Sequence, residues 1–282
     1  MKTLKKRTAF SMIELIFVIV ILGIVASIGS EVIAQVYESY IVQRAQYKAS
    51  IKTELALNQI ANRLRYALID TIVARASKTA AAYSLADITT TNDKVLQWVG
   101  YDGDSFEAIS SDTNRNPGWS GFCDIDAYTA GSTTLSSPGS NLDLANTIIT
   151  NLGGNIADAV IYFRGETNPS YGISGGDHEN ITLDNAIPSG NKIYERYKLA
   201  WSSYALEVVA NAEGKDDLVL HYNFAPIAGT AINGSSSILL KNITNFRFKS
   251  SEGSLRIKIC KEEKIGANTT DTIHTCKEKV VF

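Results

Sequence analysis

The chain has 282 residues and a mass of 30.6 kDa, enough for one large domain or two small ones with a sizeable core. Hydrophobic residues make up 45% and charged residues 20%, which excludes both a disordered chain and a protein with many membrane spans. The formal net charge of -2 argues against a protein that binds nucleic acid through a basic surface.

The N-terminal segment combines a basic leader with a long apolar run. Four cations lie within the first seven residues, and residues 10–29 then read FSMIELIFVIVILGIVASIG, with Glu14 as the only charge. Twenty helical residues at about 1.5 Å each span a hydrocarbon core of roughly 30 Å. The basic leader predicts a cytoplasmic N-terminus and export of the remainder. A secretory signal cut near Gly29 and a plain signal anchor are general alternatives.

Glu14 needs a specific explanation, because a carboxylate inside a membrane-spanning run costs about 2.5–3.5 kcal/mol on insertion scales. It lies four residues after Phe10, on the same face of a helix. A cut between Ala9 and Phe10 would create an α-amino cation within reach of the carboxylate. The sequence therefore predicts an ionic partner for Glu14.

The segment TAFSMIELI at residues 8–16 resembles the class III signal of type IV pilins and pseudopilins. The resemblance implies cleavage by prepilin peptidase between Ala9 and Phe10 and methylation of the Phe10 amine. It also implies that Glu14 pairs with the N-terminus of a neighbouring subunit during filament assembly. The family usually has Gly before the cut, whereas this chain has Ala9, the next smallest side chain.

The same resemblance implies partners, a location and domain boundaries. The expected partners are other pilin or pseudopilin subunits, membrane lipid, and an inner-membrane assembly platform with a separate ATPase, with no direct nucleic-acid binding. The chain would cross the inner membrane once, with a cytoplasmic N-terminus and a periplasmic head that joins a filament. The predicted boundaries are a removed leader at 1–9, a membrane-spanning assembly helix at 10–30, a helical stalk at 31–77 and a head at 78–282.

The helical pattern continues beyond the apolar run. Residues 31–76 contain neither Gly nor Pro. Apolar residues recur there at helical spacing, among them Leu57, Ile60, Leu64, Leu68 and Ile72. The pattern predicts one helix from Phe10 to about Arg75, about 100 Å long, whose amphipathic second part packs on the head.

From about Ser77 the composition shifts to Ser, Thr, Asn, Asp and Gly with short strand-like segments. The predicted strands are 95–99, 159–164, 192–199, 204–209, 218–224, 238–240, 243–249, 255–259 and 279–282. Residues 102–158 and 165–190 are interpreted as loop-rich. The predicted fold class is α+β, a long N-terminal helix packed on an antiparallel β-sheet head.

Two segments indicate a subclass. The stretch LLKNITNFRF at 239–248 precedes a Leu-x-Ile-x-Ile strand, and NRLR occupies 62–65. Both resemble J-type minor pseudopilins, which implies a minor subunit. Protein secretion through a type II system, DNA uptake and a surface pilus remain alternatives for the system. Glu14 argues against the tip position, because tip subunits usually lack this glutamate.

Three cysteines are present, Cys123, Cys260 and Cys276. An exported head would lie in an oxidising compartment, where disulfides persist. Cys260 ends a predicted strand and Cys276 precedes the last one, and the pilin resemblance implies a C-terminal disulfide between them. Closing this interval would stabilise the fold by about 3 kcal/mol in the chain-entropy model. Cys123 is then either a buried thiol or a partner in another pairing.

No metal or cofactor site is predicted. The three histidines lack metal-ligand spacing, and His221 is expected on the solvent face of a strand. Two acidic groups lack the EF-hand spacing and are interpreted as hydrophilic turns. They are Asp102, Asp104 and Glu107 in the first group, and Asp124 and Asp126 in the second.

No catalytic residue is predicted either. The sequence contains no H-E-x-x-H zinc motif, no phosphate-binding G-x-x-x-x-G-K-[ST] loop and no G-x-G-x-x-G fingerprint. The pilin resemblance makes a structural filament subunit, and not an enzyme, the first hypothesis. The alternative is a signal-anchored periplasmic enzyme or ligand-binding protein that uses its first 30 residues only for export and tethering.

Overall fold

The computed structural model describes residues 11–87, 93–111, 113–163, 170–188, 190–251, 253–265 and 271–282. The leader with its predicted cut site, Ala9 and Phe10, lies outside the described residues, as does the last residue of the predicted strand 159–164. In the described chain a 53-residue helix, α1 (Met12–Leu64), is followed by antiparallel sheets. This arrangement confirms the predicted α+β class.

The strands, in chain order, are β1 (Val73–Arg75), β2 (Tyr83–Ser84), β3 (Val95–Gly100), β4 (Thr134–Ser136), β5 (Val160–Phe163), β6 (Ser170–Asp177), β7 (Asn180–Leu183), β8 (Tyr197–Ala200), β9 (Ser202–Ala210), β10 (Asp216–Phe224), β11 (Ser235–Ser251), β12 (Ser254–Lys264) and β13 (Thr272–Val281). Two short helices are α2 (Gly103–Glu107) and α3 (Leu142–Asn151). Single 3-10 turns occupy Ile69–Thr71, Leu85–Asp87 and Ile156–Asp158.

Helix α1 ends at Leu64, so the prediction of a helix to about Arg75, and of a helical stalk to residue 77, is wrong at its C-terminal end. The chain after Leu64 is drawn into the sheet. The amide of Leu68 donates to the carbonyl of Val99 at 2.9 Å, and that of Tyr101 donates to the carbonyl of Tyr66 at 2.8 Å. The β-branched run from Thr71 to Val73 then favours extended chain over helix.

The larger sheet has eight strands in the order β13-β12-β11-β10-β9-β3-β1-β2, and its described pairings are all antiparallel. Strand β11 merges the two predicted strands 238–240 and 243–249, with an irregular register near Asn242, whose φ is +58°. Strand β13 begins seven residues before the predicted 279–282 and pairs with β12 along its whole length. The predicted strands 95–99, 204–209, 218–224 and 255–259 are confirmed.

The second sheet has five strands in the order β4-β7-β6-β5-β8 and corrects the loop-rich interpretation of residues 102–158 and 165–190. Its strands are three to eight residues long, and the glycines of β6 obscure the alternation of Tyr171 and Ile173. Helix α3 packs beside them, and Trp119, Leu142 and Ile149 complete a separate core. The predicted strand 192–199 is confirmed only from Tyr197, because the preceding residues form an irregular segment that pairs at a single bridge.

The main core lies between α1 and the larger sheet. The helix face that meets the sheet begins with small residues at a regular four-residue spacing, Ala45, Ala49 and Thr53, which allow a close approach. Larger side chains follow, and Ile60 and Leu64 are fully buried. They meet aliphatic and aromatic residues from the sheet, among them Leu218, Phe246, Phe248, Ile257 and Ile259.

A charged cluster joins the same helix to the sheet at the end nearest the N-terminal projection. The Glu263 carboxylate lies 3.1 Å from Lys48 Nζ and 3.1 Å from Lys261 Nζ, and 3.9 Å from Lys52 Nζ. Lys261 is buried, and its ammonium also donates to the Lys241 carbonyl at 2.8 Å. Burial opposes ionisation of Glu263, but the hydrogen bonds from Lys48 and Lys261 outweigh it and lower the pKa of Glu263.

The helix–sheet core should respond to loss of a single buried side chain. Ile60→Ala leaves a cavity beneath α1 and should reduce the free energy of unfolding by about 2–5 kcal/mol. The measurement is thermal unfolding of the full chain in detergent micelles, followed by near-ultraviolet circular dichroism. Leu55→Ala, on the same helix but 56% exposed, is the control and should change the value by less than about 0.5 kcal/mol. Equal effects of the two changes would contradict this packing.

The charged cluster predicts an acid-dependent loss of stability. Because the pKa of Glu263 is lowered in the folded protein, its contribution is present above its unfolded pKa and is lost as the pH falls through the folded pKa. Glu263→Gln should lower the thermal midpoint at neutral pH and flatten its decrease below about pH 4.3. Glu213→Gln, on the exposed turn after β9, is the matched control. A wild-type acid profile in Glu263→Gln would show that the cluster does not contribute.

Candidate assembly surface on the N-terminal helix

The start of α1 is fixed by a capping interaction. Ser11 is the N-cap, and its hydroxyl accepts a hydrogen bond from the amide of Glu14 at 3.3 Å. The sequence from Ser11 to Glu14 has the S-x-x-E spacing of a capping box, a signal that the sequence analysis did not use. A negative charge in the first turn is also favoured by the helix dipole. Glu14 therefore has a local role in the helix besides any partner.

The first 33 residues of α1 project from the rest of the protein. From Met12 to Arg44 no side chain is buried, and the first buried residue is Ala45. At 1.5 Å per residue this projection is about 50 Å long. By length and composition α1 is long and apolar enough to cross a membrane.

The projecting helix is apolar around its whole circumference over its first half. Large side chains on every side are more than half exposed, for example Leu15, Phe17, Val20, Leu22 and Val25. A helix of this kind needs lipid or other apolar helices around it. Glu14 is the only charge in α1 before Gly29, and its side chain reaches no cation of the described chain within salt-bridge distance. The surface can thus bind lipid or helices and offers one carboxylate to an external cation.

The predicted disulfide between Cys260 and Cys276 is confirmed. The two residues lie directly opposite each other on β12 and β13, with Cα atoms 4.0 Å apart. Their neighbours Ile259 and Ile257 face α1, so the disulfide lies on the opposite side of the sheet. It links the last strand to the strand that carries Glu263.

Cys123 is a buried free thiol in the second sheet's core. Its Sγ donates to the carbonyl of Tyr194 at 2.9 Å. Burial raises the pKa of the thiol to about 11, and nearby Asp124 and Glu195 act in the same direction. Because the thiolate is the reactive form, this cysteine is chemically inert at neutral pH.

The prediction for His221 is wrong, because this histidine is buried on β10 and does not face solvent. Its Nε2 lies 2.8 Å from Glu207 Oε2 on the neighbouring strand β9. His221 pairs with Ala205 of β9, and Ala205 belongs to a small core with Ile232 from the segment after Phe224, so this face of the sheet is covered here. Within the described residues no three His, Cys, Asp or Glu side chains lie close enough to share a metal ion.

The acidic groups make local structural contacts, and the prediction of hydrophilic turns is confirmed for Asp124 but not for Asp102, which is buried. Asp102 is the N-cap of α2, where its carboxylate accepts from the Ser105 amide at 3.1 Å. Burial raises the pKa of Asp102. Asp124 Oδ1 accepts from the amides of Asp126 and Ala127, both at 3.1 Å, which closes a local turn.

One pentapeptide, Gly172–Gly176, has the G-x-S-x-G spacing of a hydrolase nucleophile. Its structural context differs from a nucleophile elbow, because Ser174 lies inside strand β6 and not on a strand-to-helix turn. The exposed Ser174 hydroxyl donates to the carbonyl of Thr182 on β7 at 3.4 Å. This segment is part of a sheet and presents no activated serine.

The chain matches the family model of the prokaryotic N-terminal methylation motif over residues 4–30. No curated protein and no solved structure matches the chain. The matched segment covers the leader from Leu4, the Glu14 position and the apolar first part of α1, which the head does not bury. The chain thus carries this methylation motif on a helix that is long and apolar enough to span a membrane, which supports the resemblance to type IV pilins and pseudopilins.

Proposed function

We propose that the protein is a structural subunit, a minor pilin or pseudopilin, of a filament assembled at the inner membrane. The observation that carries this proposal is the methylation motif on a helix whose first 33 residues project bare from the head. An apolar surface of this length can be buried in a bilayer before assembly and among the parallel helices of a filament after it. The sheet head remains outside and decorates the assembly.

The processing chemistry follows from the residues around the cut. Prepilin peptidase hydrolyses the bond between Ala9 and Phe10, and the new amine is methylated. The cut leaves Phe10 directly before the N-cap Ser11, so that α1 begins two residues after the new N-terminus. In a low-dielectric environment the amine of one subunit and Glu14 of another attract strongly and neutralise each other. The bilayer and the filament interior both provide that environment.

The proposed topology places the leader in the cytoplasm and the head in the periplasm. The cations of the leader favour the cytoplasmic side. The Cys260–Cys276 disulfide suits an oxidising compartment. The sequence carries no phosphate-binding loop, so ATP hydrolysis for assembly would come from a separate ATPase on the assembly platform.

A J-type minor subunit is our proposal for the subclass. Two stretches resemble this subclass, and they meet in one core. They are residues 62–65, at the end of α1, and residues 239–248, on β11. Leu64 lies against the cluster that contains Phe246 and Phe248. The residues that carry the resemblance therefore pack the helix against the sheet, and this contact determines how the head sits on α1.

Processing predicts a defined N-terminus for the protein purified from its native membrane. Mass spectrometry of the N-terminal peptide should show a chain that starts at N-methylated Phe10. The control is the same protein from cells that lack prepilin peptidase, which should retain Met1. A chain that starts at Met1 in peptidase-positive cells, or near Ser30, would contradict the proposal.

Assembly predicts a specific requirement for Glu14. Removing one partner of a desolvated ion pair costs about 3–5 kcal/mol, so Glu14→Ala should reduce the filament-incorporated fraction by more than about 100-fold. The variant should still insert into the membrane, which membrane fractionation checks. Glu38→Ala, exposed on the same helix, is the matched control. Wild-type incorporation of Glu14→Ala would instead favour a protein that uses the helix only as a tether.

A further inference from the structure

We infer that Tyr37 and Tyr40 anchor α1 in the lipid headgroup layer on the side of the head, and that the head therefore rests against the membrane surface before assembly. The inference rests on the proposed function, because it requires insertion of α1 in a bilayer. It adds a lipid-contacting surface beyond the matched segment at residues 4–30. The partner is the headgroup region of phospholipids.

The distribution of charge gives the position of the bilayer. No Lys, Arg or His occurs between Arg7 and Arg44, a stretch of 36 residues that would extend about 54 Å as a helix. A bilayer including its headgroups is about 40–45 Å thick. The cation-free stretch is thus long enough for the whole bilayer and not only for its hydrocarbon core.

Two carboxylates delimit the hydrocarbon more closely. Glu14 and Glu31 are 17 residues apart, which corresponds to about 25 Å along the helix, and no charge lies between them. A hydrocarbon core of roughly 30 Å centred between them places each carboxylate near one boundary. The headgroup layer on the side of the head then begins near Val32 and Ile33.

At 1.5 Å per residue, the Cα of Tyr37 lies at the outer edge of this layer and that of Tyr40 lies about 4 Å beyond it. Their side chains are 64% and 57% exposed. At about 100° per residue, Tyr40 lies on the side of the helix opposite Ala45 and Ala49, whereas Tyr37 lies about 80° around the helix from Ala45. Side chains of a helix point toward its N-terminus, so both rings reach back toward the hydrocarbon by about one turn. Tyrosine is enriched at this depth because its ring is apolar and its hydroxyl is polar.

The next residues on this side complete the interface. Arg44 is exposed and lies one turn beyond Tyr40, on the water side of the headgroup layer, where its positive charge is attracted to anionic headgroups. Ala45, the first helix residue buried by the head, lies only about 7.5 Å beyond Tyr40 along the axis. If the tyrosine rings lie in the headgroup layer, no exposed length of helix separates the membrane from the head.

The test measures depth along α1 in the full-length chain. Nitroxide labels are placed on single cysteines at Val25, Val36 or Gln46 in a Cys123→Ala background, in vesicles of phosphatidylethanolamine and phosphatidylglycerol. Accessibility to oxygen and to a water-soluble nickel complex is compared. The Val25 label should be protected from nickel, the Val36 label should be intermediate and the Gln46 label should be fully accessible.

The double change Tyr37→Ser and Tyr40→Ser should raise the nickel accessibility of the Val36 label to that of Gln46. The matched control is Tyr47→Ser, a tyrosine 68% exposed on the same side but farther from the membrane, which should change nothing. Equal accessibility at Val36 and Gln46 in the wild type, or no effect of the double change, would overturn the inference. Nickel access at Val25 would instead overturn membrane insertion and with it the proposed function.

Discussion

The packing of one face of α1 on the eight-stranded sheet is the contact on which the rest of the structure depends. The face is built from small residues at four-residue spacing, Ala45, Ala49 and Thr53, and then from the fully buried Ile60 and Leu64. The small residues let the helix axis approach the sheet, and the large ones fill the core against Phe246 and Ile257. Because an α-helix is a stiff rod, this contact over its last twenty residues also fixes the direction of the projecting part.

Charge then defines where along the rod the head begins. The Glu263 carboxylate forms ion pairs with Lys48 of the helix and with Lys261 of its own strand, close to the first buried turn of α1. Farther along, Lys277 and Lys279 of β13 reach Glu54 and Asn58 of α1, at 3.7 Å and 2.7 Å. Apolar packing gives most of the stability, while these polar contacts fix the register of the helix against the last two strands. The Cys260–Cys276 disulfide, on the other face of the sheet, links these two strands covalently, so that β13 cannot separate from β12.

The sequence correctly predicted the elements in which the spacing of apolar residues matches the face that is buried in the structure. The apolar run, the stripe through Leu57, Ile60 and Leu64, and the alternating strands of the C-terminal third were all read correctly. The helix end was misplaced because Leu68 and Ile72 keep a four-residue spacing by coincidence. The amide of Leu68 donates to Val99 of β3. The amide of Ile72 closes a 3-10 turn by donating to the Ile69 carbonyl. That competition is tertiary, and no local pattern reveals it.

The second sheet was missed for a different reason. Its strands are short, and glycines at 172, 175 and 176 interrupt the alternation in β6, where Tyr171 and Ile173 alone carry the apolar signal. Polar residues in this region were also read as loop chemistry, although Ser137, Ser140 and Tyr197 form a buried hydroxyl cluster with contacts of 2.7 Å. The solvent-facing prediction for His221 was wrong for a related reason. Strand β10 has an amphipathic pattern, but the later segment that contains Ile232 covers its second face.

Glu14 shows how one residue can satisfy two requirements at once. Its amide is bound by the Ser11 hydroxyl at 3.3 Å, which fixes the first turn through the backbone. The carboxylate is not needed for that hydrogen bond and points from an exposed helix turn, available to a cation of another chain. The helix dipole lowers the cost of the negative charge at this position while the helix is alone in the membrane. In the filament subunit that we propose, the amine of a neighbouring chain would therefore meet an exposed Glu14 carboxylate near the membrane boundary.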